Sequence, residues 1–322
     1  MLDESALSIL RAPHSGEILH PQGGNLVTLS GATRFEVAGG AIPVFAPEPA
    51  RAESRQQKEH YDAVCQSYLD NLTYPHTQEY FAYLDESLFQ AIGVGSLGRT
   101  LEVCCGRGEA LALCADRIEV GLGVDISLGM LKAGRARLPD RFTLAQGDAT
   151  QLPIADSSLD TVITLGGIHH INDRSAMFGE IFRVLKPGGR FIWREPVSDL
   201  WLWRALRAII YRLSPALDAE TEHPLQRNDT VPVLDAAGFH LDSWRTFGFF
   251  GFCLFMNSDV LLFNRLFRFV PGIRAVTRLF ARIDDWITSR RLLSDAGLQV
   301  IGVARKPTAV ATVSGQHAPR AA

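Results

Sequence analysis

Leu101-Glu102-Val103-Cys104-Cys105-Gly106-Arg107-Gly108-Glu109-Ala110 runs from an apolar strand through a glycine turn into the start of a helix. Gly106 and Gly108 let the backbone approach a ligand closely, and a helix start offers N–H groups. Many doubly wound proteins carry such a turn, so the acid that follows it matters more. Asp125 ends the next apolar run, Gly121-Leu122-Gly123-Val124-Asp125. An acid about 20 residues past the turn is placed to accept both ribose hydroxyls of an adenosine. A dinucleotide fingerprint also wants a third glycine, where this chain has Leu111. That departure argues against a nicotinamide cofactor.

Outward from this turn the strand–turn–helix pattern repeats. Thr100–Cys104, Val120–Asp125, Arg141–Gln146, Leu159–Leu165 and Arg190–Glu195 are expected strands. A helical run from Arg174 to Leu185 should stop at Lys186-Pro187-Gly188-Gly189. Alternation of this kind predicts an α/β chain with a doubly wound, Rossmann-like parallel sheet. Asp229 to Gly238 reads as a further helix, with strands at His240–Phe247 and Leu298–Arg305 completing a seven-stranded sheet.

Composition sets the outer bounds. The 322 residues are 47% hydrophobic and 21% charged, with net charge −3, which disfavours a basic nucleic-acid binder. Five cysteines without a C-x-x-C pair predict neither a disulfide scaffold nor a zinc site, and no metal is expected. The acidic start Met1-Leu2-Asp3-Glu4 lacks the order of a signal peptide. The longest apolar stretch, Phe247 to Met256, is too short to span a membrane. A cytoplasmic location is expected. Cys104 and Cys105 are adjacent on a strand, point to opposite faces, and read as small buried residues.

A third motif narrows the cofactor. Gln146-Gly147-Asp148-Ala149-Thr150-Gln151-Leu152-Pro153 follows the third strand, where an acid can accept the exocyclic amine of adenine. Ser158 to Thr164, His169-His170-Ile171 and Arg183 to Phe191 follow in order. The ordered series resembles the class I S-adenosylmethionine-dependent methyltransferases, particularly the branch that includes ubiquinone and menaquinone methyltransferases. The resemblance covers roughly residues 99–196. It implies S-adenosylmethionine as cofactor, with Glu102, Cys104, Gly106 and Gly108 around the methionine end. It implies Asp125 at the ribose, Ile126 and Met130 beside the adenine, and Asp148-Ala149 at the adenine edge. Leu165 and Gly166 would border the sulfonium. Two departures stand out: the family's first glycine is Cys104 here, and Arg107 replaces a more usual Ser or Thr.

Methyl transfer from a sulfonium is an in-line displacement that depends chiefly on alignment, and a base assists where the nucleophile carries a proton. His169 and His170, just past the fourth strand, are the candidate bases. Their bland alternative is packing against the sheet and capping the next helix. Glu195 and the loop residue His223 are lesser candidates for facing the substrate. Tyr61 joins them, since Tyr61, Cys65 and Tyr68 share one helical face.

The expected organisation is a β segment at 1–47, a helical lid at 48–98, the catalytic domain at 99–305, and a disordered tail at 306–322. Two apolar, arginine-rich insertions interrupt the domain at about 197–225 and 249–295. Trp201, Trp203, Leu206, Ile209, Ile210 and Leu213 mark the first; Ile273, Val276, Phe280, Ile283 and Ile287 form a helical seam in the second. Residues 260–294 hold seven arginines against two acids. Arg274, Arg278 and Arg282 fit an anionic membrane surface, a lid over a greasy substrate, or a solvated face on a packed helix. A small hydrophobic acceptor is favoured over a polar one, with a peripheral place at the inner face of a membrane. The first 47 residues resemble a small zinc ribbon whose four cysteines would fall at Ala12, Ser15, Thr28 and Gly31. Such ribbons accompany RNA-modifying enzymes, so an rRNA or tRNA methyltransferase is the alternative. A catalytically inactive cofactor-binding partner protein is the alternative of another class.

Overall fold

A computed structural model of the chain describes residues 3–49, 51–52, 54–56, 58, 73–206, 223–256 and 262–308. Four short strands come first: β1 (Leu19–Gln22), β2 (Asn25–Thr28), β3 (Arg34–Ala38) and β4 (Ile42–Pro43), each antiparallel to the next. The remaining strands are β5 (Gly98–Val103), β6 (Ile118–Asp125), β7 (Phe142–Gln146), β8 (Leu159–Leu165), β9 (Leu185–Pro196), β10 (His240–Phe247) and β11 (Gln299–Arg305). They form one sheet in the order β10-β11-β9-β8-β5-β6-β7. β5 through β9 pair in parallel, and only β11 runs against its neighbours. The strand order reverses between β8 and β5, the point at which open α/β sheets bind ligands.

Both faces of the central strands are apolar, as a parallel sheet between two helix layers requires. Leu101, Val103, Leu122 and Val162 pack on one side with Phe178, Ile181 and Val184 of the helix Arg174–Val184. Leu144, Ile163 and Ile192 face the other side, against Tyr80, Leu84, Leu88 and Ile92 of the helix Pro75–Ile92. Those four recur at one-turn intervals, so one stripe of the helix is buried. The Lys186–Gly189 stop signal appears as a bulge. Register jumps from Leu159↔Leu185 to Thr161↔Arg190, which throws Lys186 to Gly189 out of the ladder.

The β1–β4 ribbon covers the β7 edge. Val44 bridges Gln146 in parallel, and the Gln146 side chain accepts from Ala46 N–H at 2.9 Å and donates to Ala46 C=O at 2.6 Å. Leu10 bridges Ile154 on the same side. An otherwise open edge is thereby closed. Ala12, Ser15, Thr28 and Gly31 fall in two turns that hydrogen bonds close, Gly16 N–H to Ala12 C=O at 3.0 Å and Gly31 N–H to Thr28 C=O at 2.8 Å. The Glu17 carboxylate links them by accepting from Ser30 N–H.

In the second insertion the helix Ile273–Thr288 is turned differently from the expected seam. It buries Ile273, Thr277, Ala281, Asp284 and Thr288, while Val276 and Ile283 face outward. Asp284 explains the rotation. It is fully buried and accepts from Tyr80 O–H at 2.6 Å, Gly251 N–H at 3.1 Å and Phe252 N–H at 3.0 Å. A charge buried with three donors overrides a purely apolar pattern, because any other orientation strands the donors.

Candidate active site

The glycine turn is anchored from beneath. Glu102, on β5, is almost fully buried, and its two carboxylate oxygens accept from Ala110 N–H (2.9 Å) and Leu111 N–H (3.0 Å). These are donors that the start of a helix leaves without intrahelical partners. Burial pushes the Glu102 carboxyl up to about 8, with Glu109 adding to the rise and the two N–H groups opposing it. Glu102 therefore holds the helix start that follows the glycine turn. Arg107 is tied back to Glu109 by an ion pair at 2.9 Å.

Cys104 has φ +53°, a left-handed conformation that favours glycine. The departure from the family's first glycine thus falls on a backbone that still has glycine's shape. A Cβ added at Gly167 would lie 2.3 Å from the Cys104 Cβ. The loops after β5 and β8 therefore touch across the strand-order switch, and one of the pair must be glycine.

Asp125 ends β6 half-buried; its Oδ2 accepts from Gly106 N–H at 2.7 Å and its Oδ1 from Ser127 N–H at 2.8 Å. A carboxylate is the type of acceptor that the two O–H donors of a vicinal diol require. Ile126 is half-buried, and Met130 packs beneath, its Cε 3.3 Å from where a Gly106 Cβ would stand. Asp148 follows β7 with Ala149 buried beside it. Its Oδ1 accepts from Thr150, and its Oδ2 accepts from Ser54 O–H at 2.7 Å. Arg51 pairs with Asp173 at 2.6 Å, so Arg51 and Ser54 both reach the loops that follow the strands here. Leu165 and Gly166 are at least partly accessible at the end of β8. The cofactor candidates converge on one edge, and small or acidic residues line it.

The candidate base lies on the same edge. Glu195, near the end of β9, has no exposure, and its Oε2 is 2.8 Å from His169 Nδ1. Its Oε1 accepts from Gly167 N–H (2.7 Å) and Ile168 N–H (2.9 Å). Burial lifts the Glu195 carboxyl to about 7 against the pull of those N–H groups and of His170. The His169 and His170 rings sit 3.8 Å apart, centroid to centroid. His223 donates its N–H to His169 C=O at 2.8 Å, and Arg174 donates to His223 C=O. Glu195, 26 residues away, thus reaches the His169 imidazole, and His223 reaches the His169 backbone, a grouping that no sequence spacing announces. Ser54 and Arg174 were equally invisible to motif reading. Tyr61 lies outside the described residues.

The arginine stripe is divided. Arg278 pairs with Glu79 at 2.7 Å, and Arg274 reaches Glu79 at 3.7 Å and Gln78 at 3.0 Å. Arg282 is exposed. Among the described residues, no helix is long and apolar enough to cross a membrane.

Residues 101–193 match a family model described as a methyltransferase domain. The chain is 38% identical over 134 residues to the demethylmenaquinone methyltransferase of Renibacterium salmoninarum, covering 38% of this chain and 56% of that protein. It therefore spans little more than half of that relative's length. Among solved structures, a chain from a complex between a Haloferax volcanii methyltransferase activator and a methyltransferase aligns with TM-score 0.52 and 19% identity, over 79% of this chain and 97% of that one. A Haemonchus contortus phosphoethanolamine N-methyltransferase 2 aligns with TM-score 0.52 and 18% identity, over 81% of this chain and 61% of that one. At such identity the two structures speak for the fold. Sheet topology and the family match agree on a methyltransferase-type α/β fold, with residues 101–193 matching the methyltransferase domain.

Proposed function

We propose that this protein transfers a methyl group from S-adenosylmethionine to an O, N or activated C of a small hydrophobic acceptor. The observation that carries the reading is the buried Glu195–His169 pair beside Gly166 and Gly167, on the edge that holds Asp125 and the glycine turn. The donor set suits this cofactor: Asp125 would take the ribose, Asp148 the adenine amine, and Met130 and Ile126 the adenine faces. The accessible Gly166 and the Cys104–Gly106 turn leave room for the methionine end. When bound, the cofactor supplies an electrophilic methyl group on a sulfonium.

The chain's own residues do the rest. Glu195 fixes the His169 tautomer by accepting from Nδ1, which turns Nε2 away from the carboxylate as the nitrogen to take the acceptor's proton. The same carboxylate stabilises the imidazolium that results. Two N–H groups on Oε1 hold Glu195 so that the ring cannot drift. The acceptor is hydrophobic because aromatic side chains crowd the insertions: Trp203 lies 5.0 Å from Phe249, centroid to centroid, and Phe249 lies 4.7 Å from Phe250. Incubation with methyl-labelled cofactor and either a lipid extract or an RNA preparation tests the reading. Label in the organic-soluble fraction, lost in His169→Ala, supports it. Label only in RNA would favour an RNA substrate, and no label with intact cofactor binding would favour an inactive binding partner.

A further inference from the structure

The helix Ile273–Thr288 packs its small and polar side mainly on the helices Pro75–Ile92 and Phe250–Met256 and shows solvent its large apolar side. Val276, Leu279, Ile283 and Trp286, spaced 3, 4 and 3, occupy the face opposite Thr277, Ala281 and Thr288. Leu279 and Trp286 are 57% and 60% exposed, and Leu266 and Phe269 on the preceding turn are 64% and 69% exposed. A soluble monomer rarely offers so many large apolar side chains together. Arginines flank them. Arg290 stacks over the Trp286 ring at 4.4 Å and Arg268 over Phe269 at 4.7 Å, while Arg282 and Arg291 are exposed nearby in sequence. The two acids of the segment do not offset this charge at the surface. Asp284 is buried, and Asp285 is engaged by Arg245 at 2.8 Å and by Tyr83 at 3.1 Å.

We infer that this face is a docking surface for an anionic lipid bilayer, lying on the membrane plane with its apolar residues among the acyl chains and its arginines at the headgroups. The charge selects the occupant. A second copy meeting the same face would bring arginines against arginines. A nucleic acid would meet the charge but leave Leu266, Leu279 and Ile283 in water. An anionic lipid surface satisfies both, with apolar burial and about 1 kcal/mol for each arginine near the surface.

The position of the surface links it to the chemistry. The insertion leaves the sheet after Phe247 and returns at Gln299, which pairs with both Phe247 and Pro196. The next residue, Val300, lies opposite Glu195. The docking helix therefore grows from the edge that carries the candidate base, so a bilayer there would present a membrane-dissolved acceptor to that edge. This consequence rests on the proposed methyl transfer; the lipid surface itself does not.

Sedimentation of the full chain with vesicles tests the inference without cofactor or acceptor. Phosphatidylglycerol-containing vesicles should carry the protein down, and pure phosphatidylcholine vesicles should not. Leu279→Glu with Trp286→Glu, and separately Arg282→Glu with Arg290→Glu, should each weaken binding at least about tenfold, with melting temperature and cofactor binding retained. Arg→Lys at the same two positions should preserve it. Absence of binding, equal binding to neutral vesicles, or binding unchanged in both paired variants would overturn the proposal. So would conversion of a dimer to a monomer by the apolar pair without vesicle binding, or retention on RNA instead of lipid. Methyl transfer to detergent-dispersed extract separates this outcome from failure of the catalytic reading.

Discussion

His169 Nδ1 lies 2.8 Å from Glu195 Oε2, and that carboxylate has no solvent exposure. The pair joins a loop after β8 to the end of β9, so its geometry depends on the sheet and not on a flexible loop alone. If His169 is the base, His169→Ala and Glu195→Gln should each lower kcat by about 10²–10⁴-fold for an acceptor that carries a proton. Cofactor affinity should change little, because neither residue belongs to the Asp125–Asp148 side. Steady-state kinetics alongside cofactor binding checks the split.

The pH profile follows from the same contact. Burial raises the Glu195 carboxyl to about 7, so the charged carboxylate that supports an imidazolium forms only as pH rises through that region. The dyad should titrate as a unit, giving kcat/KM that rises to a plateau above about neutrality. A flat profile between pH 6 and 9 with a rate-limiting chemical step would contradict the assignment.

Stability should move in the opposite direction. Glu102 and Glu195 have folded pKa values raised from an ordinary 4.5 to about 8 and about 7. The folded state thus binds protons more tightly than the unfolded chain. The resulting stabilisation is complete below about 4.5 and is lost as pH climbs through 7 and 8. Within pH 5–9, Glu195→Gln should flatten part of the decline in melting temperature, because glutamine does not ionise. Thermal melts across that range provide the measurement.

The Cys104–Gly167 contact predicts a rescue. Gly167→Ala places a methyl group 2.3 Å from the Cys104 Cβ, so the single variant should lose stability and cofactor binding. Cys104→Gly removes the opposing atom and relaxes a φ of +53°, a conformation that costs a non-glycine residue about 1 kcal/mol. The double variant should recover most of the loss, with a coupling of about 1–3 kcal/mol in a double-mutant cycle. Additive effects would mean that the loops do not bear on each other.

Asp284→Ala should loosen the insertion without touching the cleft. It strands Tyr80 O–H and the Gly251 and Phe252 N–H groups, each worth about 1–3 kcal/mol when left buried and unpaired. Faster proteolysis within 250–290, with little change in cofactor affinity, is the expected result.

Much of the fold was legible because its signals are local. The β8 bounds at Leu159 and Leu165 follow from an apolar run between turn residues, and β10 at His240–Phe247 starts just after the Gly238 helix stop. The acids at 125 and 148 stand out because one ends a strand and the other lies two residues past one. Glu102 was found by motif position, yet its contact with Ala110 and Leu111 shows that it supports the turn from below. The Glu195–His169 pair escaped notice as a pair because 26 residues separate its members and only strand packing joins them. The helix at 273–288 misled for a physical reason. An apolar seam and a buried carboxylate compete for the inward face, and hydropathy alone does not register the three donors waiting for Asp284.

Calorimetric titration of S-adenosylmethionine into the full chain and into Asp125→Ala bears most directly on the assignment of the cleft. Saturable one-to-one binding by the wild-type chain, weakened at least about tenfold by the loss of the ribose acceptor, is the predicted result. Absence of binding, or equal affinity in the variant, would contradict it.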